Sequence, residues 1–225
     1  MASRTARRSR TRGCPVTDPG PVAATLRREL SAKYHTDEIT PETWYVVLSR
    51  LAAQGLALVA PFVRTVFDVL DPATSSRSVT LPQIGGEGAV IVYSAAALAD
   101  PVETIETATH EHEHARVLKV DPDLQVIVDY SNAELRATVE ARAYACGAFA
   151  RYLVTGVWQT AEEIVAPLAH GYLLSESERA HCVTMVASDL ATMRRGIVPP
   201  HQLCVDVLAI LRQHHPEAIV PEAFR

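Results

Sequence analysis

The sequence predicts an α+β protein that is predominantly helical, with a small sheet directly before a histidine-rich helix. Two observations predict this fold class. Residues typical of helix N-caps recur along the chain, and each precedes a segment with the apolar spacing of a helix. Two short runs rich in β-branched residues, at 78–81 and 89–93, lie on either side of a glycine-rich turn and predict two strands.

We expect one folded domain behind a basic tail. Residues 1–20 contain five arginines and end in an Asp-Pro-Gly triplet, which is typical of a flexible lead-in. Residues 21–225 are long enough for one sizeable hydrophobic core, and the chain's 48% apolar and 21% charged content is ordinary for a globular protein. The central core is expected at about 78–155, with helical additions at 21–72 and 158–215.

The first helices are predicted by spacing and by one capping signal. Apolar residues recur with helical spacing over residues 22–32 and predict the first helix. Thr40 then serves as an N-cap before Pro41, a residue that suits the first position of a helix. The sequence therefore predicts a second helix that starts after Thr40 and precedes the two strands.

Capping boxes predict the helices of the second half. Asp100, Pro101 and Glu103 supply an N-cap, a proline at N1 and a glutamate at N3 for a helix that reaches about residue 120. Ser131 and Glu134 form a second box before a long helix to about residue 154. Three further helices are predicted after similar signals: Thr160 with Glu163, Ser175 with Glu178, and Pro199 with Pro200.

The helix that follows the strands carries the run H-E-H-E-H at residues 110–114. The run contains H-E-x-x-H, in which His110 and His114 are four residues apart and share one helix face. Two imidazoles in this arrangement can bind one metal ion, with Glu111 beside the ion as general base for a bound water. His112 points away from both, so we expect it to be a supporting or exposed residue rather than a ligand.

A third ligand is needed, because a catalytic zinc ion usually has three protein ligands and keeps a fourth position for water. Glu134 and Glu140 both lie on the next predicted helix. Glu134 occupies N3 of a capping box, where its carboxylate has a use on backbone amides. Glu140 stands among apolar residues, where an unpaired carboxylate is costly. The sequence favours Glu140 and leaves Glu134 as the alternative.

The strand, the H-E-x-x-H helix and the E-x-x-A segment that begins at Glu140 resemble the short-spaced gluzincin metallopeptidases, in particular the minimal and ImmA/IrrE-type members. The resemblance covers about residues 78–155. It implies a zincin-like core in which His110, His114 and Glu140 bind Zn²⁺, Glu111 is the general base, and the substrate is a protein or peptide. The chain departs from the usual pattern because it lacks a glycine between the motif histidines and an F-A-x-x-L-L run after the ligand.

Two details of this expected site stay open. The same run also fits H-x-x-E-H, the inverted motif, in which Glu113 would be the base and the two histidine ligands would be unchanged. The resemblance implies a much more distant third ligand for inverted enzymes, so the nearby Glu140 favours Glu111. The strand at 89–93 is expected to offer its edge to an extended substrate through backbone pairing.

Two other functions compete with the peptidase. A ferritin-like di-iron protein would use two E-x-x-H pairs, here Glu111 with His114 and Glu178 with His181, and a glutamate between them. Glu178, however, stands at N3 of a capping box and has a structural use there. The third candidate is a non-catalytic helical interaction protein with a degenerate metal site, whose charged run is a solvated face.

Composition excludes several classes of protein. The four cysteines lie far apart without a C-x-x-C pair, which argues against a cysteine zinc site and suits a reduced, cytoplasmic protein. The most apolar stretch, residues 56–70, contains Arg64 and Asp68, so we expect no membrane span. The basic tail lacks the apolar segment of a secretory signal, and it is the one part of the chain for which we consider contact with nucleic acid.

Overall fold

The computed structural model describes residues 18–41, 43, 78–82, 88–120, 133–166 and 175–225. Most of the tail, most of the helix predicted after Thr40, the turn between the two predicted strands and the capping box at Ser131 lie outside these residues. Within them the protein is α+β and predominantly helical, as the sequence predicts.

Helix α1 spans Pro19–Tyr34, somewhat longer at both ends than predicted. The carboxylate of Asp18 accepts a hydrogen bond from the backbone amide of Gly20, 3.0 Å away, and the helix begins with proline. At the other end His35 has a φ of 55°, a left-handed conformation that stops the helix. The first strand therefore begins at the next residue, Thr36.

Within the described ranges the sheet has three strands, one more than predicted. Strand β1 is Thr36–Ile39, β2 is Val79–Pro82 and β3 is Ala89–Val92, in the order β1-β3-β2. Strand β3 pairs in parallel with β1 and antiparallel with β2. The expectation that residues 89–93 offer a free edge is therefore wrong, because β3 is the central strand and has a neighbour on each side.

The helices at Pro101 and Ala133 begin where the sequence predicts, and a short helix that the sequence did not predict precedes them. Short helix α2 spans Ala95–Ala99, and α3 spans Pro101–Val120. The carboxylate of Asp100 accepts hydrogen bonds from the backbone amides of Val102 and Glu103, at 2.7 and 3.2 Å. Helix α4 follows at Ala133–Thr155.

Three helices complete the described part of the chain: α5 at Ala161–Val165, α6 at Glu176–Arg194 and α7 at Gln202–His214. The two predicted capping boxes before α5 and α6 are both present, with the side chain and backbone bonded in both directions. Two turns of 3₁₀ helix, Pro216–Ala218 and Glu222–Phe224, close the chain. None of the helices in the described ranges combines the length and apolar character needed to cross a bilayer.

Helix α3 lies between α1 and α4, and β2 and β3 pack against it. Helices α3 and α4 are antiparallel, since Arg151 near the end of α4 binds Glu103 and Glu106 near the start of α3. Their backbones approach closely at Gly147, where an added Cβ would lie 2.9 Å from the carbonyl oxygen of Glu106. The main core is built mostly from α1, α4, α5, α6 and α7, and the motif helix contributes Ile105 to it.

Candidate metal centre

Three predicted ligands meet between α3 and α4. His110 and His114 project from one face of α3, one turn apart, and Glu140 projects from α4. One ligand atom from each residue can be chosen so that all lie within 4.8 Å of one another. The three side chains are buried, with relative exposures of 8, 8 and 1%. Among the described residues this is the one group of histidine, cysteine or acidic side chains whose geometry could hold a metal ion.

The distances within this group suit a small ion. The two histidine Nε2 atoms are 3.1 Å apart. The carboxylate oxygens of Glu140 lie 3.6 Å from Nε2 of His110 and 3.7 Å from Nε2 of His114. Ligand atoms bound tetrahedrally at the usual zinc distances are roughly 3.3 Å apart. The three side chains are therefore close to the spacing that a bound zinc ion would give them.

Burial also gives the histidines the right protonation state. It lowers the pKa of His110 well below the ordinary value, with a smaller contribution from the neighbouring His114. It lowers the pKa of His114 to about 4. Both rings are consequently neutral near pH 7, and a neutral imidazole keeps the lone pair that binds a metal. The carboxylate of Glu140 adds a hard oxygen donor, so the set fits zinc.

Glu111 contacts the sheet. Its carboxylate Oε2 lies 2.8 Å from the hydroxyl of Thr80 on β2, and the same hydroxyl lies 2.9 Å from the carbonyl oxygen of Glu111. Burial raises the pKa of Glu111 to about 7, although the hydrogen bond from Thr80 acts in the opposite direction. An acid with this pKa both accepts and returns a proton near neutral pH.

Glu113, the alternative base, is occupied elsewhere. Its side chain is fully buried and forms two hydrogen bonds with the guanidinium of Arg116, at 2.8 and 2.7 Å. Arg142 on α4 is 4.0 Å away. A bidentate ion pair of this kind holds a carboxylate firmly in one orientation. The pairing favours Glu111 over Glu113 as the base.

His112 is buried and makes hydrogen bonds through both ring nitrogens, so of the two expected placements, supporting or exposed, the exposed one is wrong. Its Nδ1 lies 2.7 Å from the carbonyl oxygen of Ala108, so Nδ1 carries the proton. Its Nε2 then accepts from the hydroxyl of Thr36, 3.2 Å away, while the hydroxyl oxygen of Ser31, which donates to Glu38, lies 3.1 Å from the same nitrogen. The prediction that His112 is not a ligand agrees with this placement, but its role in joining α3 to α1 and β1 was not predicted.

The residues of the competing interpretations do not join the group. The carboxylate of Glu178 accepts a hydrogen bond from the backbone amide of Ser175, 2.6 Å away, as the capping argument expects. His181 lies with its Nε2 3.4 Å from the hydroxyl of Thr138. The side chain of Glu134 is outside the described residues. The second E-x-x-H pair therefore contributes no ligand to the group of His110, His114 and Glu140.

Tyr144 is a residue of this region that the sequence did not single out as functional. Its ring packs edge to face on that of His110, with 4.5 Å between the ring centroids. The available signal was its position one turn after Glu140 on the same helix.

Searches for similarity to protein-family models, curated proteins and solved structures find no match to this chain. The functional argument therefore rests on the residues and their geometry.

Proposed function

We propose that the protein is a zinc-dependent metallopeptidase with a zincin-like core. The observation that carries the proposal is the buried group of His110, His114 and Glu140, which offers two neutral imidazoles and one carboxylate at the spacing of a tetrahedral ion. Two histidines and a glutamate with an open fourth position are the ligand set of catalytic zinc in several peptidases.

The ligand chemistry favours zinc over other ions. Imidazole nitrogen is a preferred ligand for zinc and several transition metals, whereas calcium and magnesium select oxygen. A group with two imidazoles and one carboxylate therefore disfavours calcium and magnesium. The di-iron alternative needs a second set of ligands, and the described residues place only one set together.

In the proposed reaction, the ion and Glu111 have separate roles. Bound zinc supplies Lewis-acid chemistry, which makes water acidic near pH 7 and polarises a carbonyl. Glu111 accepts the proton of the attacking water and returns it to the leaving amine. Thr80 orients Oε2 of Glu111 by its hydrogen bond, and in the metal-free protein burial raises the pKa of the acid to about 7.

Strand β2 is the proposed support for an extended substrate. Among the described residues β2 pairs on one side only, with β3, and its Thr80 touches Glu111. A peptide paired along the other side of β2 would lie beside the proposed base, and backbone pairing would bind it with little dependence on sequence. This replaces β3 as the expected strand, because both sides of β3 are already paired.

Metal content and peptide hydrolysis test the proposal together. We expect purified protein to contain one zinc ion per chain and to cleave a library of fluorogenic peptides. Glu111→Gln should keep the zinc and lose activity by about 10²–10⁴-fold, the usual contribution of a general base. His114→Ala should lose the zinc because it removes a ligand.

The other outcomes separate the alternatives. Two iron ions per chain would support the carboxylate bundle instead. Zinc without any hydrolysis by the wild type would support a binding protein with a degenerate site. Full activity in Glu111→Gln would contradict the proposed base, and zinc retained at wild-type affinity by His114→Ala would contradict the ligand assignment.

A further inference from the structure

We propose that Tyr144 is a positioning residue that holds the ring of His110 in its metal-binding orientation and so raises the affinity for zinc. The inference rests on the proposed metal site. It begins with three rings in a row: the His110 ring lies between that of His114, with centroids 4.8 Å apart, and that of Tyr144, with centroids 4.5 Å apart. Both contacts are edge-to-face, at interplanar angles of 68° and 70°.

Helix geometry places Tyr144 at the site. Glu140 and Tyr144 are separated by one turn of α4 and therefore share a face. Helix α4 thus provides the third ligand and, one turn later, the ring that packs on a ligand from α3. Tyr144 is partly buried and also packs against the main core, so the core supports its position.

The hydrogen bonds of His110 explain why such packing is needed. A metal-binding histidine usually donates its second ring N–H to a carboxylate or carbonyl, which fixes the orientation of the ring. Within the described part of the chain, the polar contacts of His110 all use Nε2, toward His114 and Glu140. Its neighbour His112, by contrast, is fixed at Nδ1 by the carbonyl of Ala108. The ring contact with Tyr144 supplies the missing constraint on His110.

The physical effect is on affinity. An imidazole that rotates freely in the metal-free protein loses that freedom when it binds an ion, and this loss weakens binding. An edge-to-face aromatic contact restricts rotation before the ion arrives. Removal of the groups that support metal ligands typically lowers metal affinity by about 10–100-fold, and we expect the lower part of this range for a ring contact.

The test compares two tyrosines on the same helix. Tyr144→Leu removes the ring beside the ligand. Tyr152→Leu is the matched control, because Tyr152 is also a partly buried tyrosine of α4 and makes an edge-to-face contact, but with Trp158 at 5.1 Å rather than with a ligand. Tyr144→Phe keeps the ring and removes the hydroxyl. Zinc affinity is measured by competition with a chromophoric chelator, and the site geometry is measured by the visible spectrum of the cobalt-substituted protein.

We expect Tyr144→Leu to weaken zinc binding by about 10-fold and to change the cobalt spectrum. Tyr144→Phe and Tyr152→Leu should keep both properties, even where Tyr152→Leu lowers the melting temperature. If Tyr144→Leu does not fold, Tyr144→Met provides the same comparison with most of the volume retained. Wild-type affinity and spectrum in the folded Leu or Met variant would overturn the inference about Tyr144. Absence of metal binding by the wild type would overturn the proposed function, and the inference with it.

Discussion

The buried histidines and glutamates of α3 fall into two groups that differ in their contacts, one on the ligand face and one off it. On one face His110 and His114 point toward Glu140, with nitrogen-to-oxygen distances of 3.6 and 3.7 Å that are too long for direct hydrogen bonds. Off this face, His112 on the opposite side of the helix and Glu113 about 80° round from the ligands make hydrogen bonds of 2.7–3.2 Å with groups of complementary type, and we call these two the partnered residues. The ligand face, by comparison, brings one potential ligand atom from each of three side chains within 4.8 Å of one another.

This difference separates stability from metal binding within one run of five residues. The partnered residues are expected to contribute to the free energy of unfolding of the metal-free protein, because a buried polar group that loses its partner is costly. The contribution of the proposed ligands is expected to increase when an ion is bound.

The largest effect is expected for His112→Ala. The substitution leaves a cavity and removes the acceptor of Thr36, and it should lower the free energy of unfolding of the metal-free protein by about 2–4 kcal/mol. His110→Ala is the matched control and should cost about 1–3 kcal/mol less, because it strands fewer hydrogen-bonding groups. Urea unfolding in the presence of a chelator measures both. Equal losses would show that the two groups of residues do not differ in their contribution to the free energy of unfolding.

Zinc addition is expected to give the next largest effect. At a free concentration 100 times Kd, zinc should raise the free energy of unfolding by about 2.7 kcal/mol. For a chain of this size that corresponds to about 5–10 °C in melting temperature. His112→Ala should keep this increment, whereas His110→Ala should lose it. A thermal scan with zinc and with chelator measures the shift, and a zinc response that survives in His110→Ala would contradict the assignment of ligands.

A third prediction compares the two buried glutamates. Glu113→Gln leaves Arg116 one amide oxygen in place of two carboxylate oxygens and should lower stability by about 1–3 kcal/mol while zinc affinity stays within a few-fold of wild type. Glu140→Gln should weaken zinc binding by about 100-fold or more, since it alters a ligand rather than a supporting group. Chelator competition and urea unfolding of both variants test the pair. The comparison fails if Glu113→Gln loses zinc as Glu140→Gln does.

The smallest effect is expected at Asp206, a partnered carboxylate far from α3 in sequence. Burial alone would raise its pKa, but Lys33, Tyr34 and Gln202 hydrogen-bond to it and hold the pKa below the ordinary value. A lowered pKa stabilises the fold above the unfolded value of about 3.9, and this contribution disappears as the pH falls through the folded value. Asp206→Asn should therefore flatten the acid part of a stability curve below about pH 4. A curve with unchanged slope would show that Asp206 is not stabilised as a carboxylate.

Much of the fold could be predicted because its signals are local. Asp100 and Ser175 cap helices through side chains only two or three residues from the amides that they bind, and such patterns are visible in sequence. Strand β1 was missed because two of its four residues are acidic and therefore disfavour the assignment of a strand. It forms because α1 ends at His35 and places the chain beside β3.

The candidate site divides in the same way. The pairing of His110 with His114 follows from helix periodicity. Glu140 is favoured by the sequence because the capping box already gives the carboxylate of Glu134 a local use. The roles of His112 and Tyr144 depend on which helix lies against each face of α3. The residues near them in sequence do not indicate that packing. A single sequence does not show which residues of other elements pack against a motif.

The close approach at Gly147 has a further consequence for the ion. Gly147 meets the backbone of α3 at Glu106, one turn before His110 along α3, and Glu140 stands two turns before Gly147 along α4. The backbone contact at Gly147 therefore helps to set the distance between the helices that carry the histidines and the glutamate. For the proposed zinc site, this distance would limit which ion radii the three ligands accommodate, although Gly147 is not itself one of the ligands.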